Sequence, residues 1–281
     1  HRQFGTVLSV SRENSGSNKP DGRGSMKQTA QFNDLKGQSI FITGGGSGIG
    51  AWLTEGFVSQ GAKVAFVQRS DASALCDRLE AEYGNRPLFM ACDITDIEAL
   101  QSSITKAREA HGPITVLVNN AASDNRHGLQ DYCVEDWDQS MAINLRPHFF
   151  TAQAIAQDMR EAGYGSIINF SSISYMMGNA GYPAYVAAKS AITGLTRGLA
   201  RELGADNIRV NALMPGWVLT DRQRDLWVTP QALADHIERQ CIKEEILPED
   251  IVAPTLFLAS SASRMMTGQA LVVDGGVVVT G

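Results

Sequence analysis

From Leu35 onward, short apolar runs alternate with longer stretches in which apolar positions return every three or four residues, with glycine or proline at many of the junctions. The runs at 38–43, 63–68, 87–91, 114–118, 166–170, 208–213 and 270–273 predict strands. They are continuous rather than alternating, the pattern of strands covered on both faces, as in a parallel sheet. Helical periodicity follows the glycines near 44–50 up to residue 60, and returns near 71–83, 96–110, 135–160, 182–203 and 248–259, each long enough for a crossover. Residues 35–281 are therefore expected to form one α/β domain, a single doubly wound parallel sheet of seven strands with helices on both faces. Residues 221–248 interrupt the alternation with polar, helical-looking sequence carrying Trp227 and a Thr229-Pro230 turn. Such an insertion is expected to lie over the strand ends as a substrate lid.

The first 34 residues differ from this pattern. They are rich in Ser, Gly, Asn and Arg, carry the turn-forming Lys19-Pro20-Asp21-Gly22, and lack apolar periodicity. They are expected to be a flexible tail, with a transit peptide or a segment added for expression as alternative sources of this composition. Elsewhere the composition is that of a globular chain, 43% hydrophobic and 19% charged. A net charge of −6 gives no basic footprint for nucleic acid or a membrane surface. No apolar run approaches the ~20 residues that span a bilayer. Cys76, Cys92, Cys133 and Cys241 stand far apart, which reads as free thiols in a reducing, cytoplasmic setting rather than a zinc site.

Candidate chemistry centres on Ser171 through Ala191. Tyr185 and Lys189 sit four apart in helix-favouring sequence, so their side chains are expected on one face. An ammonium beside a phenol is expected to lower the phenol's pKa toward working pH, making the pair a proton carrier. Ser172 follows the 166–170 strand, where its hydroxyl is expected to hold a substrate oxygen in the crevice of an open sheet. After the first strand comes Gly44-Gly45-Gly46-Ser47-Gly48-Ile49-Gly50, whose spacing suits a tight turn against a pyrophosphate at a helix N-terminus. The second strand ends in Gln68-Arg69, where an acidic residue would select NAD and an arginine NADP; Arg69 tilts the balance to NADP, with NAD open.

With these elements in their order, the chain resembles the short-chain dehydrogenase/reductase family over residues 35–281. Asp93 and Ile94 in Cys92-Asp93-Ile94, the Asn119-Asn120-Ala121-Ala122 turn, Asn144, and Pro215-Gly216 followed by Val218 and Thr220 match as well, with Ala122 where the family motif ends in glycine. The resemblance implies a Rossmann-type sheet and an NAD(P)-dependent oxidoreductase acting on CH–OH groups. It implies that Gly44, Ser47, Gly48, Ile49 and Gly50 hold the pyrophosphate, Asp93 and Ile94 the adenine, and Asn119 through Ala121 the adenosine ribose. Tyr185 would be the general acid/base, Ser172 would polarise the substrate oxygen, and Lys189 would lower the Tyr185 pKa and bind the nicotinamide ribose. Asn144 would position a water of the proton relay, and Pro215, Gly216, Val218 and Thr220 would contact the nicotinamide.

The stretches Asp124-Asn125-Arg126-His127, Thr220-Asp221-Arg222-Gln223 and Gln240-Cys241-Ile242-Lys243 are similar to those of family members that oxidise aldoses at C1. Asn125, Ser174, Asn179, Trp217 and Arg222 are the candidate sugar contacts. Reduction of a 3-oxoacyl thioester or another ketone is the alternative activity. A nucleotide-binding regulator without turnover is a further alternative, disfavoured because Ser172, Tyr185 and Lys189 are all present. The resemblance also implies a homotetramer or dimer packed through the helices at 135–160 and 182–203.

Overall fold

The computed structural model describes residues 30–279. Its seven strands are β1 (Ser39–Thr43), β2 (Lys63–Gln68), β3 (Leu88–Ala91), β4 (Val116–Asn119), β5 (Gly165–Phe170), β6 (Ile208–Pro215) and β7 (Ala270–Val273). They form one sheet in the order β3-β2-β1-β4-β5-β6-β7, and every pairing is parallel. All seven expected strands occur, within two residues of the sequence boundaries at nearly every end. The chain winds outward from β1 in one direction and from β4 in the other, so a crevice opens between them at the carboxyl ends of the strands.

The helices are α1 (Gly48–Ser59), α2 (Ser73–Tyr83), α3 (Ile97–His111), α4 (Val134–Asn144), α5 (Arg146–Ala162), α6 (Ser174–Met177), α7 (Pro183–Leu203), α8 (Asp221–Leu226), α9 (Pro230–Arg239) and α10 (Val252–Ala259). Successive strand residues point to opposite faces. Ile40 and Ile42 therefore pack with Leu53, Phe57, Leu79 and Leu256 of α1, α2 and α10. Phe41 between them packs with Leu100, Ile104, Ile155 and Leu203 of α3, α5 and α7. All five residues of β1 are buried, as the continuous apolar run requires. Each fully buried Leu, Ile or Phe contributes about 1.5–3 kcal/mol, which fixes the strand ends where the crevice lies.

The helix expected over 135–160 is two helices, broken at Leu145 (φ −132, ψ −52). Pro147 has no N–H to continue the ladder, and its ring clashes with the preceding turn, so helical geometry restarts at Arg146 with proline in the first turn. Two short helices, α8 and α9, occupy 221–239. Thr220 caps the first by accepting from Gln223 N–H at 3.2 Å, and Thr229 caps the second by accepting from Ala232 N–H at 3.2 Å.

The tail boundary at residue 34 falls too late. Asn33–Leu35 is a 3-10 turn, Leu35 is in the core, Phe32 packs against it, and Asp34 accepts from Ser261 N–H. Apolar burial of Phe32 and Leu35 anchors this stretch, and only 1–29 of the expected tail lies outside the described residues. Among the described residues no helix is long and apolar enough to cross a membrane. Cys76 and Cys92 are buried, Cys133 and Cys241 exposed, and all four are free.

Candidate active site

Backbone sterics build one end of the crevice. Gly44 and Gly48 take left-handed φ values of +70 and +51. A Cβ at Gly50 would stand 1.7 Å from the backbone oxygen of Gly44, so that position accepts no larger residue, and one at Gly46 would displace the Gln68 side chain, 2.4 Å away at Cδ. Thr54 Oγ1 donates to Gly45 O at 2.7 Å, and Asn120 Nδ2 donates to Gly44 O at 3.1 Å, holding the loop from both sides. Ser47 does not cap α1 with its side chain, and the first turn carries no acidic residue. The free N–H groups and dipole at this end suit an anion, so the loop fits the pyrophosphate of a dinucleotide.

From the loop a cleft of about 660 Å³ crosses the ends of β4, β5 and β6 and reaches α8 and α9. Gly44, Ser47, Ile49, Gly50, Asn120 and Ala121 line one end; Pro215, Gly216, Val218 and Thr220 line the floor. Gly48 lies opposite Thr220, whose methyl would meet an added Cβ at 3.4 Å. Ser172, Tyr185 and Lys189 meet in the middle of the same cleft. Ser172 stands just past β5, its Oγ accepting from Ser174 N–H at 3.1 Å. One turn of α7 carries both Tyr185 and Lys189.

The electrostatics of this trio differ from the expectation. Lys189 is 1% exposed, its Nζ donates to Phe170 O at 2.7 Å and stands 5.5 Å from the Tyr185 ring centroid. Burial pulls the Lys189 pKa down to about 7, partly countered by Asp124. Burial also pushes the Tyr185 pKa up, reinforced by Asp124 and Tyr182; the Ser172 hydroxyl and Arg126 oppose the rise. The net direction for Tyr185 is upward. Desolvation penalises both charged forms, and it outweighs an ammonium committed to a backbone carbonyl. In this state the phenol is a proton donor beside an amine that is readily neutralised.

Other expected residues stand elsewhere. Asn119 is 1% exposed and does not reach the cleft, because its side chain ties the sheet together through Asn169 Oδ1 (3.0 Å) and Thr151 Oγ1 (2.9 Å). The Asn144 side chain is spent on the Ser123 backbone, accepting from its N–H at 2.8 Å and donating to its O at 3.0 Å. Asn125 is exposed and outside the cleft lining; its neighbours Asp124 and Arg126 line the cleft instead. Gln68, Arg69 and Asp93 cluster at the ends of β2 and β3, beyond the lining residues. Gln68 Nε2 donates to Ser70 O, and Arg69 acts on Asp93 through charge. Asp93 accepts from Thr95 N–H and Oγ1, while Asp96 rather than Asp93 caps α3. The Ile94 side chain is in the core.

Of the candidate sugar contacts, Ser174, Asn179, Trp217 and Arg222 line the cleft. Ser174 is 3% exposed with its Oγ unpartnered, and Asn179 Nδ2 donates to Tyr182 Oη at 3.1 Å. Asp124, Arg126, Gln223 and Trp227, which the sequence offered only as parts of longer stretches, also line the cleft, and sequence reasoning missed Tyr182 and His236. The Arg126 guanidinium lies 3.8 Å from the Tyr182 ring centroid and 5.2 Å from that of Trp227, joining the loop after β4 to the segment over the cleft. No local signal marks this trio, because 101 positions of sequence separate Arg126 from Trp227.

The chain is similar to known proteins. A family model described as enoyl-(acyl carrier protein) reductase matches residues 44–278. The chain is 48% identical to the "Probable galactose dehydrogenase" of Rhizobium meliloti, over 89% of this chain and 98% of that one. It is 43% identical to the D-xylose 1-dehydrogenase of Caulobacter vibrioides, over 88% of this chain and 98% of that one. A solved structure of a blue fluorescent protein from a metagenomic library, in complex with NADPH, superposes with a TM-score of 0.80 at 34% identity, covering 88% of this chain and all (100%) of that one.

Proposed function

The chain belongs to the short-chain dehydrogenase/reductase family as an NAD(P)-dependent oxidoreductase acting on CH–OH groups, and on that footing we propose that it oxidises the anomeric hydroxyl of an aldose to the lactone, with NADP preferred. The observation that carries the sugar reading is a set of buried polar atoms without partners around one cleft: Ser174 Oγ, Trp227 Nε1 and His236 Nε2. A buried polar atom left unpaired costs about 1–3 kcal/mol, which a polyhydroxylated ligand would recover. The sugar dehydrogenases among the relatives support the same reading.

In this proposal the glycine loop holds the pyrophosphate, and the exposed Arg69, which has no ion pair among the described residues, meets the 2′-phosphate of NADP. When bound, the nicotinamide supplies the hydride acceptor. Ser172 holds the reacting oxygen and Tyr185 takes its proton. The negative charge of a bound dinucleotide favours the ammonium of Lys189, and an ammonium in turn favours the phenolate, offsetting the burial that raises the Tyr185 pKa. The helix break after Asn144 supports a water route through backbone carbonyls in place of the Asn144 side chain. Residues 221–248 act as the lid over the substrate. Exposed Val134, Trp137 and Phe149 on α4 and α5 support association into a dimer or tetramer, and the four free thiols support a cytoplasmic setting.

Aldopentoses and aldohexoses assayed with NADP and NAD should give lactone, with the higher kcat/KM for NADP. Turnover of a 3-oxoacyl thioester with no aldose activity rejects the sugar reading. Tyr185→Phe should lower kcat by about 10³-fold with the cofactor Kd unchanged; retained turnover removes Tyr185 from the proton step.

A further inference from the structure

Asp124 lies on the loop after β4 and lines the cleft between the Tyr185–Lys189 pair and α8. Its Oδ2 accepts from Gln223 Nε2 at 2.9 Å, and Gln223 Oε1 accepts from Trp217 Nε1 at 2.9 Å. This chain of bonds crosses from the loop to the lid and fixes the carboxylate. Its Oδ1 is 3.9 Å from Arg222 Nη2, outside hydrogen-bond distance, and has no hydrogen-bond partner among the described residues. The carboxylate is 19% exposed, so that oxygen is an acceptor held in the cleft with lone pairs to spare.

Its position relative to the reacting groups is informative. Asp124 acts through charge on both Tyr185 and Lys189, yet bonds to neither. Asp124 lines the cleft that also holds Ser172, Tyr185 and Lys189 and bonds to none of the three, so a substrate whose reacting oxygen sits on Ser172 and Tyr185 can lay a neighbouring hydroxyl against it. We propose that Asp124 accepts a hydrogen bond from the substrate hydroxyl vicinal to the reacting carbon, making a 1,2-diol arrangement, the C1 and C2 hydroxyls of an aldose, the unit this site recognises. The inference rests on the aldose reading and narrows it: a site built to bond a hydroxyl rejects the analogue that lacks it, because the carboxylate is then desolvated without a partner.

The experiment crosses two enzymes with two substrates. The wild type and Asp124→Asn are each assayed with an aldohexose and its 2-deoxy analogue at saturating NADP. Asn keeps an oxygen to accept from Gln223 but loses the charge and offers a donor to the substrate. Wild type should prefer the full aldose by about 30-fold or more in kcat/KM, most of it in KM. In Asp124→Asn the preference should fall below about threefold, with the NADP KM within twofold of wild type. A companion variant, Gln223→Leu, removes the bond to the lid and keeps the carboxylate; it should raise KM for both sugars equally and keep their ratio. An unchanged sugar ratio in Asp124→Asn, or a collapsed ratio in Gln223→Leu, overturns the assignment. No aldose oxidation by wild type overturns the aldose reading itself. If Asp124→Asn melts well below wild type, direct binding of the two sugars to the wild-type NADP complex decides the point: equal affinities refute the bond.

Discussion

The glycine loop and the segment over the cleft face each other across the same 660 Å³ space, yet they are built by opposite means. The loop is specified by backbone: left-handed φ values, Cβ-free approaches, and carbonyls bonded by Thr54 and Asn120. The opposite wall is specified by side chains: the Arg126–Tyr182–Trp227 stack and the Asp124–Gln223–Trp217 chain of hydrogen bonds. A backbone device tolerates almost no substitution, because a methyl group has nowhere to go. A side-chain device can be redrawn by changing a few residues, which is how one scaffold serves many substrates.

Gly50→Ala tests the harder half and has the largest expected effect. The new Cβ, 1.7 Å from Gly44 O, forces the loop away from α1. The NADPH Kd, followed by fluorescence titration, should rise by more than about 100-fold, and overpacking should lower stability by about 1–3 kcal/mol. Nucleotide binding within a factor of three of wild type would mean that the loop is not sterically fixed. On the softer side, Trp227→Ala removes one face of the guanidinium stack, worth about 0.5–2 kcal/mol. It should raise the sugar KM about tenfold while the NADPH Kd stays within twofold. Parallel loss of both would show that the two halves are one cooperative unit.

Lys189 stands where the halves meet and gives the smallest effect. Its folded pKa, about 7, lies below the ordinary lysine value near ~10.4, so between those limits the unfolded chain binds more protons than the folded one. Stability from this group is fully present above ~10.4 and falls as pH drops toward 7, then levels off. Asp124 is the charged group acting on it, and His148, buried nearby with its pKa pulled down to about 3, stays neutral throughout this window. Lys189→Met lacks the titration. Its stability relative to wild type, measured by denaturant unfolding without nucleotide, should improve by at least about 1 kcal/mol from pH 10 to pH 7. A constant difference across that range would mean that Lys189 is not desolvated.

Much of this is legible in the sequence. Continuous apolar runs marked the strands, and Tyr185 and Lys189 did share a helical face. The side-chain partners of Asn119 and Asn144 were not legible, because a polar residue at a strand or helix end looks the same whether its side chain bonds a ligand or the protein around it. In the stretch from Asp124 to Arg126, the exposed Asn125 looked as promising as its neighbours. Only the loop's path brought Asp124 and Arg126 to the cleft.

By itself the sequence determined what depends on local rules: the order of strands and helices, the glycines that no other residue can replace, and the four-residue spacing of Tyr185 and Lys189. Tertiary structure decided what depends on distance through space: that Lys189 donates a hydrogen bond to Phe170 O, that burial raises the Tyr185 pKa, and that Asp124 accepts from Gln223 across the cleft. Periodicity and backbone sterics act between near neighbours in the chain, whereas desolvation and side-chain pairing exist only once remote segments have closed around the same space.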